Sequence, residues 1–239
     1  MSIEPRDMAA PLRLAHRGDW RHAPENSLAA MEAALRVPAC DGLEFDVRAS
    51  SDGAPILLHD PSLLRVQGVD AVPSALTAAE CAEHGISTLG EVLRAVGCDP
   101  FLDVELKEWV PAAIDELEIE RGRVDDEGKA ELRNAVVSSF HAEVLERLAA
   151  QRPSWPRWLN AHDLGDATIA AARGLGCAAV SVRWTGIDEQ SAGRARDAGL
   201  AVAAWTVRDL AAYRRLADIG VIAMCVEDAA LEGEAGEAA

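Results

Sequence analysis

No run of about 18 consecutive apolar residues occurs in this 239-residue chain, so nothing in it reads as a membrane-spanning helix. The opening MSIEPRDMAAP carries acids and a proline, where a secretion signal would have a basic end and an apolar stretch. A cytoplasmic protein is therefore expected. Paired cysteines are also missing. Cys40, Cys81, Cys98, Cys177 and Cys225 are odd in number and scattered, and no CxxC spacing occurs. Neither a disulfide framework nor a thiolate zinc site is supported. Cys177 and Cys225 sit in apolar stretches and read as small hydrophobes.

Positive charge is scarce. Lys and Arg total 23 against 40 Asp and Glu, giving a formal net charge of −17. A field of that sign repels polyanions and argues against nucleic acid or anionic membranes as partners. It would also repel a small phosphodiester, so a site for one needs its own local positive charge.

What the chain does have is an alternation. Short apolar or β-branched runs ending in polar residues are followed by helical stretches rich in Ala, Leu, Glu and Arg. The predicted strands are Leu12–His16, Gly42–Val47, Phe101–Leu106, Ala135–Phe140, Arg157–Ala161, Ala178–Trp184, Ala201–Val207 and Val221–Glu227. Helices are predicted to begin near Ser27, Thr88, Pro111, Ala142, Asp166, Asp188 and Asp209, several of them at a Ser, Thr or Asp suited to capping. Eight strands alternating with helices predict an α/β fold, a parallel (β/α)8 TIM barrel. Residues 1–231 are expected to form one domain. The acidic stretch 232–239 has no apolar anchor and is expected to be disordered.

Three segments stand outside the alternation. Ala54–Asp60 follows the second strand after only SSDG. Asp52-Gly53 is a strong hairpin signal, because both residues tolerate the positive φ of tight turns. A ninth, antiparallel strand beside the second is predicted, carrying His59 and Asp60 back to one end of the barrel or the other. Pro61–Gly85 and the charged stretch Glu118–Arg133 read as surface excursions.

The chemistry begins with Glu44 and Asp46 in GLEFDV. At i and i+2 on a strand both point to one face, the barrel interior. Two bare carboxylates there are costly and need a cation or buried bases. Glu105 and Lys107 repeat the i, i+2 pattern on the next parallel strand. Three carboxylates and a lysine then converge at the carboxyl ends of adjacent strands, where barrel active sites lie. A salt-bridge layer would account for either pair alone, but the repeat on neighbouring strands favours a hard divalent cation, Mg²⁺, Ca²⁺ or Mn²⁺.

His16 ends the first strand and His59 the extra one, a candidate acid and base beside the acidic cluster. Arg17 could hold a phosphate oxygen through a forked pair of hydrogen bonds, and Gly18 would let the backbone pass close to a ligand. HAPENS reads as a proline-led turn with a helix cap at Asn26 or Ser27. Trp205 faces either the site or the core. His22, His84, His141 and His162 receive no role.

In this order the motifs resemble the glycerophosphodiester phosphodiesterase family: HRG (16–18), PENS (24–27), EFD (44–46), the DG turn followed by LLHDP (57–61), ISTLGEVL (86–93), ELK (105–107), SSF (138–140) and AWT (204–206). The resemblance implies one divalent cation held by Glu44, Asp46 and Glu105, with His16 and His59 as the catalytic pair. It further implies that Arg17 and Lys107 contact phosphate and that Trp205 lies near glycerol. The implied reaction is hydrolysis of a glycerophosphodiester, a small-molecule substrate, to glycerol 3-phosphate and an alcohol. Three positions depart from the family pattern. Ser27 stands for threonine, the stretch from Asp60 to Ile86 is shorter than the helical insertion many members carry, and the last strand reads AMCVED rather than ending in Thr-Asp. Two other readings remain: a related phosphodiesterase acting on lysophospholipid or sphingomyelin, and a non-catalytic phosphate-binding barrel.

Overall fold

The computed structural model describes residues 10–124, 128 and 130–233. Its strands are β1 (Leu12–His16), β2 (Gly42–Ala49), β3 (Pro55–Leu57), β4 (Phe101–Leu106), β5 (Gly122–Val124), β6 (Ala130–Leu132), β7 (Ala135–Ser139), β8 (Arg157–Ala161), β9 (Ala179–Arg183), β10 (Ala201–Val207) and β11 (Ala223–Val226). Eight of them, all but β3, β5 and β6, form a closed parallel ring in the order β1-β2-β4-β7-β8-β9-β10-β11. Closure comes from β1, which pairs with β11 on one side and β2 on the other. Helices lie between the ring strands, as the alternation predicts.

Inward and outward side chains divide the barrel into two cores. Outward residues such as Leu43, Phe45, Val47, Val104 and Leu106 pack against the helices in one large cluster. Inside, Leu14, Val136, Trp158, Ala179, Ala203 and Ala223 form a separate apolar plug. Phe101 stacks on Trp158 with ring centroids 5.9 Å apart. Gly42 is required where β2 crosses β4, because a Cβ there would sit 2.1 Å from the Phe101 carbonyl oxygen. The apolar plug closes the amino-terminal end of the barrel, and polar residues fill the carboxyl end.

Local chemistry explains the helix starts. Ser27 accepts from Ala30 N, and Thr88 with Glu91 and Asp188 with Ser191 form reciprocal capping boxes. The helix Pro111–Arg121 instead begins with proline at its first position, where the missing N–H costs nothing.

The extra strand β3 lies outside the ring, antiparallel to β2, with Arg48 opposite Ile56. Gly53 turns the hairpin at φ +80°. Because β2 runs on to Ala49, the turn projects past the barrel rim and β3 descends again. Leu58 N then donates to Asp46 O at 3.0 Å, and the Arg48 guanidinium holds the His59 carbonyl. His59 is thereby returned to the carboxyl end of the barrel. Pro61–Gly85 is ordered, with helices at Leu64–Gln67 and Ala78–Glu83 and a 3-10 turn between them. It closes a satellite core of Ile56, Leu58, Leu63, Cys81 and Ile86 over β3.

Within Glu118–Arg133, which the sequence marks as a charged surface excursion, β5 and β6 pair antiparallel, with Arg123 opposite Glu131. The buried Arg121 at its base donates to the carbonyls of Pro100 and Asn134. The charged sequence hid the strands because each pairs only with the other. Of the acidic tail, Glu232 closes the helix Asp228–Glu232 and pairs with Arg21, and residues 234–239 lie outside the described residues. Among the described residues no helix is long and apolar enough to cross a membrane.

The plug predicts where stability resides. Trp158→Ala is expected to lower unfolding free energy by about 3–5 kcal/mol, read by urea titration. Ile119→Ser, at a position 77% exposed, should stay within about 0.5 kcal/mol.

Candidate active site

At the carboxyl end the ring opens into a cavity of about 890 Å³. Glu44 of β2 and Glu105 of β4 line it, and Asp46, on the same face of β2 as Glu44, is in register with Glu105. They are only 4%, 1% and 7% exposed, yet one oxygen from each lies within 4.8 Å of the others. Ligands on opposite sides of a hard divalent cation, bound at roughly 2.0–2.6 Å, would be about 4–5 Å apart.

The charges around this cluster are unequal. Burial opposes ionisation of Asp46, but Lys107 and Arg17 overcome it and hold the group well below the usual carboxylate range. Lys107 Nζ lies 2.7 Å from Asp46 Oδ1 and also pairs with Glu105. Arg17 Nε is 3.1 Å from Asp46 Oδ2. Glu44 is pushed well above its ordinary value by burial and by the neighbouring charges of Asp46 and Glu105. Burial and Asp46 raise Glu105 to about 7. Two of the three carboxylates are thus under-neutralised by the protein's own bases. With an all-oxygen donor set, the three residues fit a hard divalent cation and could bind a metal.

Asn26 is a member of this cluster that the sequence reading treated only as a cap. Its Nδ2 donates to Asp46 Oδ2 at 2.8 Å and its Oδ1 accepts from Asp46 N at 3.2 Å. This two-point contact fixes the carboxylate. Asn26 reaches it from a left-handed backbone, φ +56°, a conformation that asparagine tolerates better than most residues. Gly18, at φ +81°, approaches the first helix so closely that a Cβ would meet Ala30 backbone at 2.6 Å. Its need for glycine lies there.

Both histidines line the cavity, and each is anchored in the same way. His16 Nδ1 lies 2.5 Å from Glu227 Oε1, and Glu227 Oε2 takes Arg208 Nε at 2.7 Å. His59 Nδ1 lies 2.8 Å from Asp60 Oδ1, and Asp60 Oδ2 takes Arg65 Nε at 2.5 Å. A carboxylate only accepts, so each Nδ1 is the donor and each Nε2 is left for other chemistry. Burial disfavours the charge on Glu227, but His16 and Arg208 overcome it and lower its pKa. Hydrogen bonding to Arg65 takes Asp60 down to about 2. His59 is lowered, chiefly by burial, with Arg17 and Lys107 adding to the effect.

Arg65 also grips Glu25, which accepts in turn from Arg17 at 2.9 Å. A continuous set of ion pairs therefore links His59 to Asp46. Glu227, Arg208, Arg65 and Glu25 were not singled out from sequence. An acid at the carboxyl end of the last barrel strand was the visible signal for Glu227.

The opposite wall is aromatic. Phe140, His162 and Trp205 meet in a triad with ring centroids 5.4–5.7 Å apart. Trp205 Nε1 donates to Ser181 O at 3.1 Å. Trp205 thus lines the site. It sits where the register between β10 and β11 slips, a bulge of the kind that re-aims side chains. His141 and His162 also line the cavity; His22 and His84 do not.

Every residue singled out as a candidate for the site (His16, Arg17, Glu44, Asp46, His59, Glu105, Lys107 and Trp205) therefore meets at one mouth. Residues 16–231 match the glycerophosphoryl diester phosphodiesterase family. A glycerophosphodiester phosphodiesterase of Caldanaerobacter subterraneus is 32% identical over 113 residues, which is 41% of this chain; the chain spans less than half of that relative, 46% of its length. A phosphodiesterase from Oleispira antarctica, solved with the product sn-glycerol-3-phosphate, aligns with TM-score 0.79 and 24% identity over 96% of this chain and 98% of its own. The glycerophosphodiester phosphodiesterase of Thermotoga maritima aligns with TM-score 0.75 and 24% identity, over 94% and 96%. The family match extends over nearly the whole described barrel and takes in every one of these site residues: this chain belongs to the glycerophosphoryl diester phosphodiesterase family.

Proposed function

We propose that this protein hydrolyses glycerophosphodiesters to glycerol 3-phosphate and an alcohol. The observation that carries the reading is the meeting of three buried carboxylates with two carboxylate-anchored imidazoles in one cavity. Family membership and the glycerol 3-phosphate bound by the Oleispira relative support it.

Glu44, Asp46 and Glu105 would hold one divalent cation, Mg²⁺ or Ca²⁺ by donor chemistry, with Mn²⁺ also suited. When bound, such an ion supplies Lewis-acid neutralisation of the phosphate. The protein's own cations do the rest of that work. Arg17 and Lys107 face the same space and oppose the repulsion of a −17 chain. A unit charge pair at about 4 Å and an effective dielectric near 20 is worth roughly 4 kcal/mol before desolvation.

Proton transfer falls to the histidines. His59, whose neutral form burial favours, takes the proton of the attacking hydroxyl at Nε2 while the new P–O bond forms. His16 gives its Nε2 proton to the departing alkoxide as the old P–O bond breaks. It lies between the carboxylates of Glu227 and Glu44, the latter 3.8 Å away. The pair serves either nucleophile, the neighbouring glycerol hydroxyl or a water. A transient cyclic glycerol phosphate in quenched-flow samples would identify the first. Trp205 and Phe140 offer an apolar wall for the glycerol carbons.

Three outcomes test the proposal. His16→Ala and His59→Ala should each lower kcat on glycerophosphocholine by about 10²–10⁴-fold; an unchanged rate in either removes the pair. Activity should vanish in EDTA and return with one of the three cations, and full activity in EDTA would overturn the metal assignment. Turnover of lysophospholipid or sphingomyelin with no turnover of water-soluble diesters would replace the substrate class.

A fourth outcome concerns pH. Burial raises Asp103 and, together with Asp46, Glu105, each to about 7. A carboxyl group whose folded pKa is raised binds its proton more tightly in the native state, so its contribution to stability fades as pH climbs from about 4 to 7. A divalent cation needs its ligand Glu105 ionised. Its stabilisation of the fold, read as a rise in Tm, should be larger at pH 8 than at pH 5, and equal shifts would contradict the assignment.

A further inference from the structure

The cations that line the cavity are not alike. Arg17 is paired with Glu25 and Asp46, Arg65 with Glu25 and Asp60, Lys107 with Asp46 and Glu105, and Arg208 with Glu227. Arg183 differs. Among the described residues no carboxylate lies within 4 Å of its guanidinium, and its contact is with the face of Trp205, 5.5 Å from Cζ to the ring centroid. Trp205, whose indole N–H goes to Ser181 O, meets the guanidinium with its ring face and accepts none of its N–H groups. Arg183 is exposed to the cavity it lines. Of the five cations that line this cavity, it alone has no acidic partner among the described residues.

Its place in the ring sharpens the point. Arg183 ends β9, two residues beyond the inward-facing Ser181 and in register with Trp205. From β2, which carries Glu44 and Asp46, β9 is four strands away in either direction around the ring. Arg183 therefore faces the carboxylate cluster from directly across the barrel. A phosphodiester centred at the cluster has its single charge met there by Arg17 and Lys107. Arg183 approaches the same cavity from the opposite wall, and its forked donors suit a second oxyanion.

We propose that the cavity is built for diesters carrying a second anionic group, a terminal phosphate, on the arm that crosses toward β9, and that Arg183, braced on Trp205, docks it. This inference rests on the phosphodiesterase reading and names the substrate class for the same site. Bracing against an aromatic face fixes the planar guanidinium and lowers the ordering cost of a two-point contact.

The test compares glycerophosphoglycerol with the same compound bearing a terminal phosphomonoester, using the full chain and its preferred divalent cation. The wild-type protein should favour the phosphorylated diester in kcat/KM by about tenfold or more, chiefly through KM, with the preference shrinking as salt rises. In Arg183→Met the ratio of the two kcat/KM values should fall by about 10- to 100-fold, and Arg183→Lys, a point charge without the fork, should keep part of it. A wild-type ratio at or below one overturns the inference whether or not the variants fold. A ratio unchanged by Arg183→Met, with both diesters still turned over, overturns it as well. If the wild-type protein turns over neither diester, the hydrolase reading fails and takes the inference with it.

Discussion

Keeping three carboxylates dry on one wall of a barrel is costly, and much of the upper half of this molecule is arranged around that cost. Glu44, Asp46 and Glu105 project inward because residues two apart on a strand share a face. Lys107 and Arg17 neutralise Asp46, and Asn26 pins it from the first loop. Glu44 and Glu105 remain with raised pKa values. A site that leaves two acids partly uncompensated is predisposed to take up positive charge. In a strongly acidic chain, that local arrangement would let an anionic ligand approach.

The histidines are anchored by a second pattern that appears twice. Each imidazole gives Nδ1 to a carboxylate, and an arginine holds the other oxygen of that carboxylate. The two copies come from unrelated parts of the fold: β1 with the end of β11, and the segment after β3. The arginines keep Glu227 and Asp60 ionised, and so as acceptors, over a wide pH range. Both rings are thereby held with Nε2 free to act.

Much of this was legible in the sequence for identifiable reasons. The ring strands announced themselves by apolar runs ending in polar residues, and the bounds of Leu12–His16, Phe101–Leu106, Arg157–Ala161 and Ala201–Val207 agree with the structure. The i, i+2 acids gave the cluster because strand periodicity is strict. What depended on contacts distant in sequence was not legible. The end of the barrel to which His59 returns is set by how far β2 runs before the turn. Glu227 meets His16 across 211 residues. Asn26 looked like an ordinary cap because its partner, Asp46, lies 20 residues on. The orientation of Trp205 follows from a register slip between β10 and β11, which composition does not encode.

The hairpin that carries His59 hangs on the outside of the ring, held by β2 and by a small core of its own. The two imidazoles therefore belong to parts of the molecule held differently, one in the closed barrel and one beside an outer strand that rests largely on Ile56, Leu58, Leu63, Cys81 and Ile86 and joins the main core through Leu57. Regions sustained by few apolar contacts open at lower free energy than the main fold. Warming would then detach His59 while the barrel stays intact, and loss of the site would run ahead of global melting. The satellite core, which adjoins His59 through Leu58, would then set the temperature limit of the site.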